Sequence, residues 1–180
     1  MLRKNSRDCS SKRTGAAAVE LAFTALFLVP LILGIWEAGR LIEVQQIVSN
    51  SAREGARLAA QGYTINSTGA PTQIMASTGT LNVKDYVYQY LAAAGFANLQ
   101  PGDVTVVFNF TAPGAIGKMT PTDPYLGEKN QPFTVTVSIP WEKVRWIDMG
   151  LIRPTAVTFT VSWQMLTDDA FTLNQTMPSM

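Results

Sequence analysis

An α+β architecture follows from three features of the sequence: a long N-terminal helix packed on a small three-stranded antiparallel sheet. An unbroken apolar run near the N-terminus passes into a stretch with helical periodicity. Residues 81–94 repeat that periodicity over a shorter length. Three later segments alternate between apolar and hydroxyl side chains, as strands do.

The apolar run is Ala16 to Trp36, 21 residues with Glu20 as the only charge. A helix of that length spans roughly 30 Å, the thickness of a bilayer's hydrocarbon core. Trp36 sits where an interfacial aromatic belongs, and Glu37 and Arg40 lead back into polar sequence. Residues 1–15 carry five basic side chains against Asp8, net +4, whereas residues 37–180 carry nine basic and eleven acidic ones. The positive-inside rule places residues 1–15 in the cytoplasm and the chain after Trp36 across the membrane. A retained helix fits better than a cleaved secretory signal. The run exceeds the ~7–15 residues of a signal core, and the small residues Ala16, Ala17 and Ala18 stand at its N-terminal end, the wrong end for a signal cleavage site.

Residues 37–61 keep a helical period, with Leu41, Val44, Val48, Ala52, Ala56 and Ala59 on one stripe. Ile42 and Ile47 widen it, and Gly62 is the expected stop. Residues 16–61 therefore read as one rod, roughly 70 Å long, bent near Pro30 where a helical hydrogen bond is lost. Gly34 and Ala38 offer a surface on which another helix can come close. Arg53, Glu54 and Arg57 read first as a solvated face with an internal ion pair, and alternatively as a docking surface for a partner subunit.

Residues 63–80, rich in Thr, Ser, Gly and Asn, read as a loop. The helix over 81–94 has Asn82 as its N-cap, Val83, Val87, Leu91 and Ala94 as its apolar face, and Gly95 as its stop. Tyr86 and Tyr90 flank that face as packing groups. In the strands 104–110, 133–139 and 157–165 the apolar positions fall on one side, with Trp163 and Met165 continuing the last. The other side is rich in Thr and Ser, the pattern of a sheet wet on one face. Segments 111–132 and 141–154 read as irregular loops.

Composition removes most enzyme chemistry. With no His there is no Ser-His-Asp triad, Cys-His pair or His-ligated zinc, and a lone Cys forms no internal disulfide. A net charge of +1 gives no footprint for nucleic acid. Asp123, Glu128 and Asp148 are isolated, and no spaced calcium loop surrounds Asp168-Asp169. No catalytic residues, cofactor, metal or small-molecule substrate are expected. Three N-x-S/T sequons, at Asn66, Asn109 and Asn174, are common by chance in a Thr-rich chain.

The basic leader ends in Arg13-Thr14-Gly15, followed by Ala16-Ala17-Ala18-Val19-Glu20. This resembles the class III signal of type IV prepilins. The resemblance implies a cut between Gly15 and Ala16 by a membrane prepilin peptidase, with Glu20 the fifth residue of the mature chain. A Gly enters a protease cleft in extended form without a Cβ clash. A carboxylate inside a membrane helix usually faces a partner, and the resemblance supplies one, the new α-amino group of Ala16. The plainer reading is a Glu stabilised by the helix dipole and snorkelling to the interface.

Further motifs follow: Pro30 within the helix, then Gly34-Ile35-Trp36-Glu37-Ala38-Gly39-Arg40, then Ala52-Arg53-Glu54-Gly55-Ala56-Arg57. With the G-A-A-A-V-E start, they resemble the TadE-like family of pseudopilins from Flp/Tad pilus and secretion systems. The resemblance covers residues 13–60 and implies a shared role for Glu37, Gly39, Arg40, Ala52, Arg53, Glu54, Gly55 and Arg57. It implies a structural subunit, not an enzyme, in the inner membrane of a bacterium. Its partners would be prepilin peptidase and other pilin or pseudopilin subunits of a Tad system. The expected organisation is a leader over 1–15, a membrane helix over 16–36, its amphipathic extension over 37–62 and an exported head over 63–180. The alternative is a single-pass membrane protein whose exported head binds an envelope partner or ligand.

Overall fold

The computed structural model describes residues 8–96, 98–112, 122–146 and 154–166, with side chains from Gly15 onward. Helix α1 runs from Asp8 to Ala59, 52 residues, without a break at Pro30. It starts before Ala16 and places Gly15 within the helix. From Gly15 to Ala59 it is long and apolar enough to cross a membrane. Large side chains of its first half, among them Leu21, Phe23, Phe27, Ile35 and Trp36, are more than half exposed.

The second half of α1 is different. Val44, Val48, Ala52, Ala56 and Ala59 are fully buried, and Leu41 and Ile47 pack against them. The expected stripe is therefore the core-facing one, save for Ile42, which is exposed. Ile42 lies off the row that meets the sheet and lines an open groove with Val157 and Phe159. Gly62, at a φ of 65°, takes the left-handed conformation that turns the chain away after α1.

Residues 63–80 are not wholly irregular. Strands β1 (Tyr63–Ile65) and β2 (Pro71–Gln73) form a short antiparallel hairpin. Its turn is held by Asn66 Oδ1, which accepts from the Thr68 and Ala70 amides at 3.0 and 2.8 Å. Such Asx contacts replace backbone turn bonds, and three-residue strands carry too little alternation to be read from sequence. The sequon asparagine thus has a structural role.

Helix α2 (Val83–Ala93) is capped by Asn82, whose side chain accepts from the Asp85 amide at 2.7 Å. At its other end Gly95 N–H donates to Ala92 O and Phe96 N–H to Leu91 O, with Gly95 at a φ of 103°. That is a Schellman ending, and Leu91 and Phe96 are both buried beside it. Tyr86 is exposed; Tyr88 packs on the core instead.

Strands β3 (Thr105–Phe110), β4 (Pro132–Pro140) and β5 (Ala156–Gln164) form one antiparallel sheet in the order β3-β4-β5. Phe133, Val135, Val137 and Ile139 are fully buried beneath α1 and α2. Phe108, Phe110 and Phe133 cluster with ring centroids 4.9 to 6.2 Å apart. The opposite face carries hydroxyl pairs, Thr136–Thr160 at 2.8 Å and Ser138–Thr158 at 2.9 Å. Along β5 burial fades: Val157 is buried, but Trp163, expected on the apolar face, is exposed. The chain stays close to α1 just beyond, where Met165 is buried and Leu166 N–H donates to Ala60 O at 2.8 Å.

The segment read as a loop over 141–154 opens with a helical turn, α3 (Trp141–Val144), whose Trp141 and Val144 join the core. A 3-10 turn over Pro124–Leu126 interrupts the other. Asp148, Asp168-Asp169 and Asn174 lie outside the described residues.

Candidate functional site

The expected functional residues all lie on α1 but occupy three unlike environments. At the start, Gly15, Ala16 and Glu20 are exposed. A Cβ built on Gly15 meets nothing within 4 Å, so the fold makes no demand for glycine there. The Glu20 carbonyl accepts from Thr24 Oγ1 at 2.9 Å.

The second environment is the junction between rod and head. Glu37 is buried at 7% exposure, and its Oε2 has no hydrogen-bond partner among the described residues. One turn on, Arg40 crosses to the head: Nε and Nη2 both donate to Val144 O, at 3.2 and 3.1 Å. Nη1 donates to Glu43 at 2.7 Å. The guanidinium also lies over the rings of Phe96 and Trp146, 5.5 and 4.7 Å from their centroids. Gly39 is exposed, and a Cβ there meets nothing within 4 Å. Arg40 is therefore a clasp that ties the end of the apolar run to α3.

The third environment is the Ala52–Arg57 block, which divides by face. Ala52, Gly55 and Ala56 are buried, whereas Arg53 and Arg57 are exposed. A Cβ on Gly55 would lie 2.7 Å from Val87 Cγ2 and 3.3 Å from Val83 Cγ1. Glycine here lets α2 approach α1 more closely than any side chain permits. Arg57 and Glu54 pair at 3.8 Å on the surface, a contact of about half a kilocalorie per mole. That supports the solvated-face reading for the charges.

These environments fall within one recognised segment. Residues 15–57 match the family model of the TadE-like protein. The matched segment opens on Gly15, spans the exposed apolar half of α1, and closes on Arg57. Both the junction motif and the alanine-glycine block lie inside it, and the whole sheet lies outside it. No curated protein and no solved structure matches the chain.

Sequence reasoning missed the head's side of the junction. Trp141, Val144 and Trp146 lie in a segment with no periodicity, and only the fold brings them to Arg40. A Trp at each of positions 141 and 146, in a chain with four, was the signal available. Among the described residues no group of three His, Cys, Asp or Glu is placed to hold a metal ion. Asp123, read as isolated, accepts from the Ala76 amide at 2.9 Å and pins the segment after the hairpin.

Proposed function

We propose that this chain is a minor pilin or pseudopilin of a Tad-type pilus assembly. It is made as a prepilin, cut between Gly15 and Ala16, anchored through residues 16–36 in the inner membrane, and carries residues 63–180 outside the cytoplasm. Its work is packing, not chemistry. The observation that carries this reading is the TadE-like match, which begins at Gly15 and covers an apolar half-helix that the subunit leaves uncovered. Exposed Leu, Phe, Val and Ile along that half demand lipid or neighbouring helices. A glycine that the fold does not need, at the foot of a basic leader, is accounted for by a peptidase. Glu20 then pairs with the α-amino group of Ala16, on its own chain or a neighbour's.

The test is the intact mass of the chain after co-expression with its cognate prepilin peptidase. Removal of residues 1–15, blocked by Gly15→Leu, is the expected result. An unshortened chain contradicts the proposal and leaves a single-pass anchor bearing a binding head.

A further inference from the structure

The junction holds two buried polar atoms without hydrogen-bond partners among the described residues, Glu37 Oε2 and Trp141 Nε1. Their residues are 7% and 2% exposed. A carboxylate only accepts and an indole N–H only donates, so the two need complementary partners. Both line one cleft, where about 20 Å³ remains, room for a single water-sized group. Leu33, Trp36 and Trp146 supply its apolar walls, and Arg40 and Arg145 line it beside Glu37. Arg40 does not neutralise Glu37, since its donors go to Val144 O and Glu43. Among the described residues no ion pair reaches Glu37.

The position of the cleft indicates where a ligand comes from. It lies where the apolar run ends, flanked by Trp36 and Trp146, 54% and 68% exposed. Exposed indoles at the end of a membrane-length apolar helix mark the headgroup layer. The chemistry indicates which headgroup. An unpaired carboxylate oxygen in a water-sized space, walled by indole rings, calls for a primary ammonium. That group donates N–H bonds to the carboxylate and is attracted to the ring faces. A trimethylammonium group donates no N–H and exceeds the space. An ester or phosphate oxygen of the same headgroup can accept from Trp141.

We infer that the cleft binds the primary ammonium headgroup of an aminophospholipid, with Glu37 as its anchor. The inference rests on the membrane placement proposed above. It gives the head a fixed seat on the outer leaflet, set by the same clasp that joins it to the rod.

The test uses the full chain in nanodiscs of equal phosphatidylethanolamine and phosphatidylcholine, with retained lipid read by native mass spectrometry. Phosphatidylethanolamine should be retained at least tenfold over phosphatidylcholine, and Glu37→Gln should bring the ratio close to one. Trp36→Leu, at a half-exposed indole of the cleft wall that takes no part in the Arg40 clasp, should lower the ratio with little change in melting temperature, which guards against a folding defect at Glu37. Equal retention of the two lipids, or a preference that survives Glu37→Gln, overturns the inference. Titration of glycerophosphoethanolamine into detergent-solubilised protein separates the sources. Glu37-dependent binding there without retained lipid upholds the ammonium site and moves its ligand to solution. A Glu37-dependent chain dimer free of lipid assigns the ammonium to a second copy's N-terminus and overturns the lipid. Chain mass and resistance to carbonate extraction report on the proposed function separately. An uncut but inserted chain that prefers phosphatidylethanolamine sinks the pilin reading alone.

Discussion

Arg40 and Val144 stand 104 positions apart, and two guanidinium nitrogens of the one donate to the carbonyl of the other at 3.1 and 3.2 Å. This carbonyl belongs to α3, the turn that also carries Trp141 into the core. The contact therefore fixes the head against the rod at the level where the apolar run ends. A lysine cannot reproduce it, because an ammonium on a flexible stem lacks the planar fork that reaches one oxygen with two donors and stacks on two rings. Arg40→Lys should cost about 1–2 kcal/mol, and Arg40→Ala about 2–3 kcal/mol. For a chain of this size each kilocalorie lowers the melting temperature by roughly 2–4 °C. Glu43→Gln, which removes only the exposed ion-pair partner, should stay within about 0.5 kcal/mol. Thermal melts of the three variants in one detergent check the ranking, and an Arg40→Lys chain as stable as the original removes the clasp.

Two glycines of α1 make opposite predictions. Gly55 faces Val87 Cγ2 at 2.7 Å from a Cβ that it lacks. The better helix propensity of alanine, up to about 1 kcal/mol, is outweighed by overpacking of about 1–3 kcal/mol. Gly55→Ala should destabilise, and Val87→Ala in the same chain should recover part of the loss. A double-mutant cycle in denaturant reads that coupling. Gly39 has open space around it, so Gly39→Ala should stabilise the isolated subunit by about 0.5–1 kcal/mol. If Gly39→Ala nevertheless reduces pilus assembly, a neighbouring subunit occupies that space.

The cap of α2 gives a third test. Asn82 is 3% exposed and makes three contacts: it accepts from the Asp85 amide, and it donates to Asp85 Oδ2 at 2.8 Å and Gly79 O at 3.1 Å. Replacing a cap residue by alanine costs roughly 0.5–2 kcal/mol, and burial puts Asn82→Ala at the upper end, about 2 kcal/mol. Asn82→Asp keeps the acceptor but sets a second carboxylate beside Asp85, and should fall between. Equilibrium unfolding of the two variants separates cap from charge.

The legible parts of this molecule are those with a period. β4 alternates over nine residues, and its buried positions 133, 135, 137 and 139 are the ones that the alternation marks. The stripe from Val44 to Ala59 holds because 3.6-residue spacing survives wherever one helix face meets one core. Asn82 and Gly95 were readable because caps have chemical requirements of their own. What pattern could not give is contact at long range. Nothing near Arg40 announces Val144, and nothing near Gly55 announces Val87, so their motif positions acquire reasons only in the fold. Ile42 and Trp163 failed for the related reason that an apolar side chain is buried only where a partner surface arrives.

Glu20 separates a role in the subunit from a role in the assembly. Among the described residues no ion pair involves its carboxylate, and the surrounding half of α1 is exposed. Removing it takes nothing from the subunit's own packing. An isolated carboxylate costs up to about 2.5–3.5 kcal/mol at the centre of a membrane helix and less toward its end, so Glu20→Ala inserts at least as readily. The variant should melt within about 0.5 kcal/mol of the original, as surface changes do. Pairing with an α-amino group is available only to a chain cut at Gly15, and a neighbour's amine only within an assembly. Incorporation of Glu20→Ala into sheared pili, measured in a host with the full Tad apparatus, should therefore fall at least tenfold while membrane levels hold. Undiminished incorporation would refute the pairing and return Glu20 to a carboxylate that snorkels to the interface.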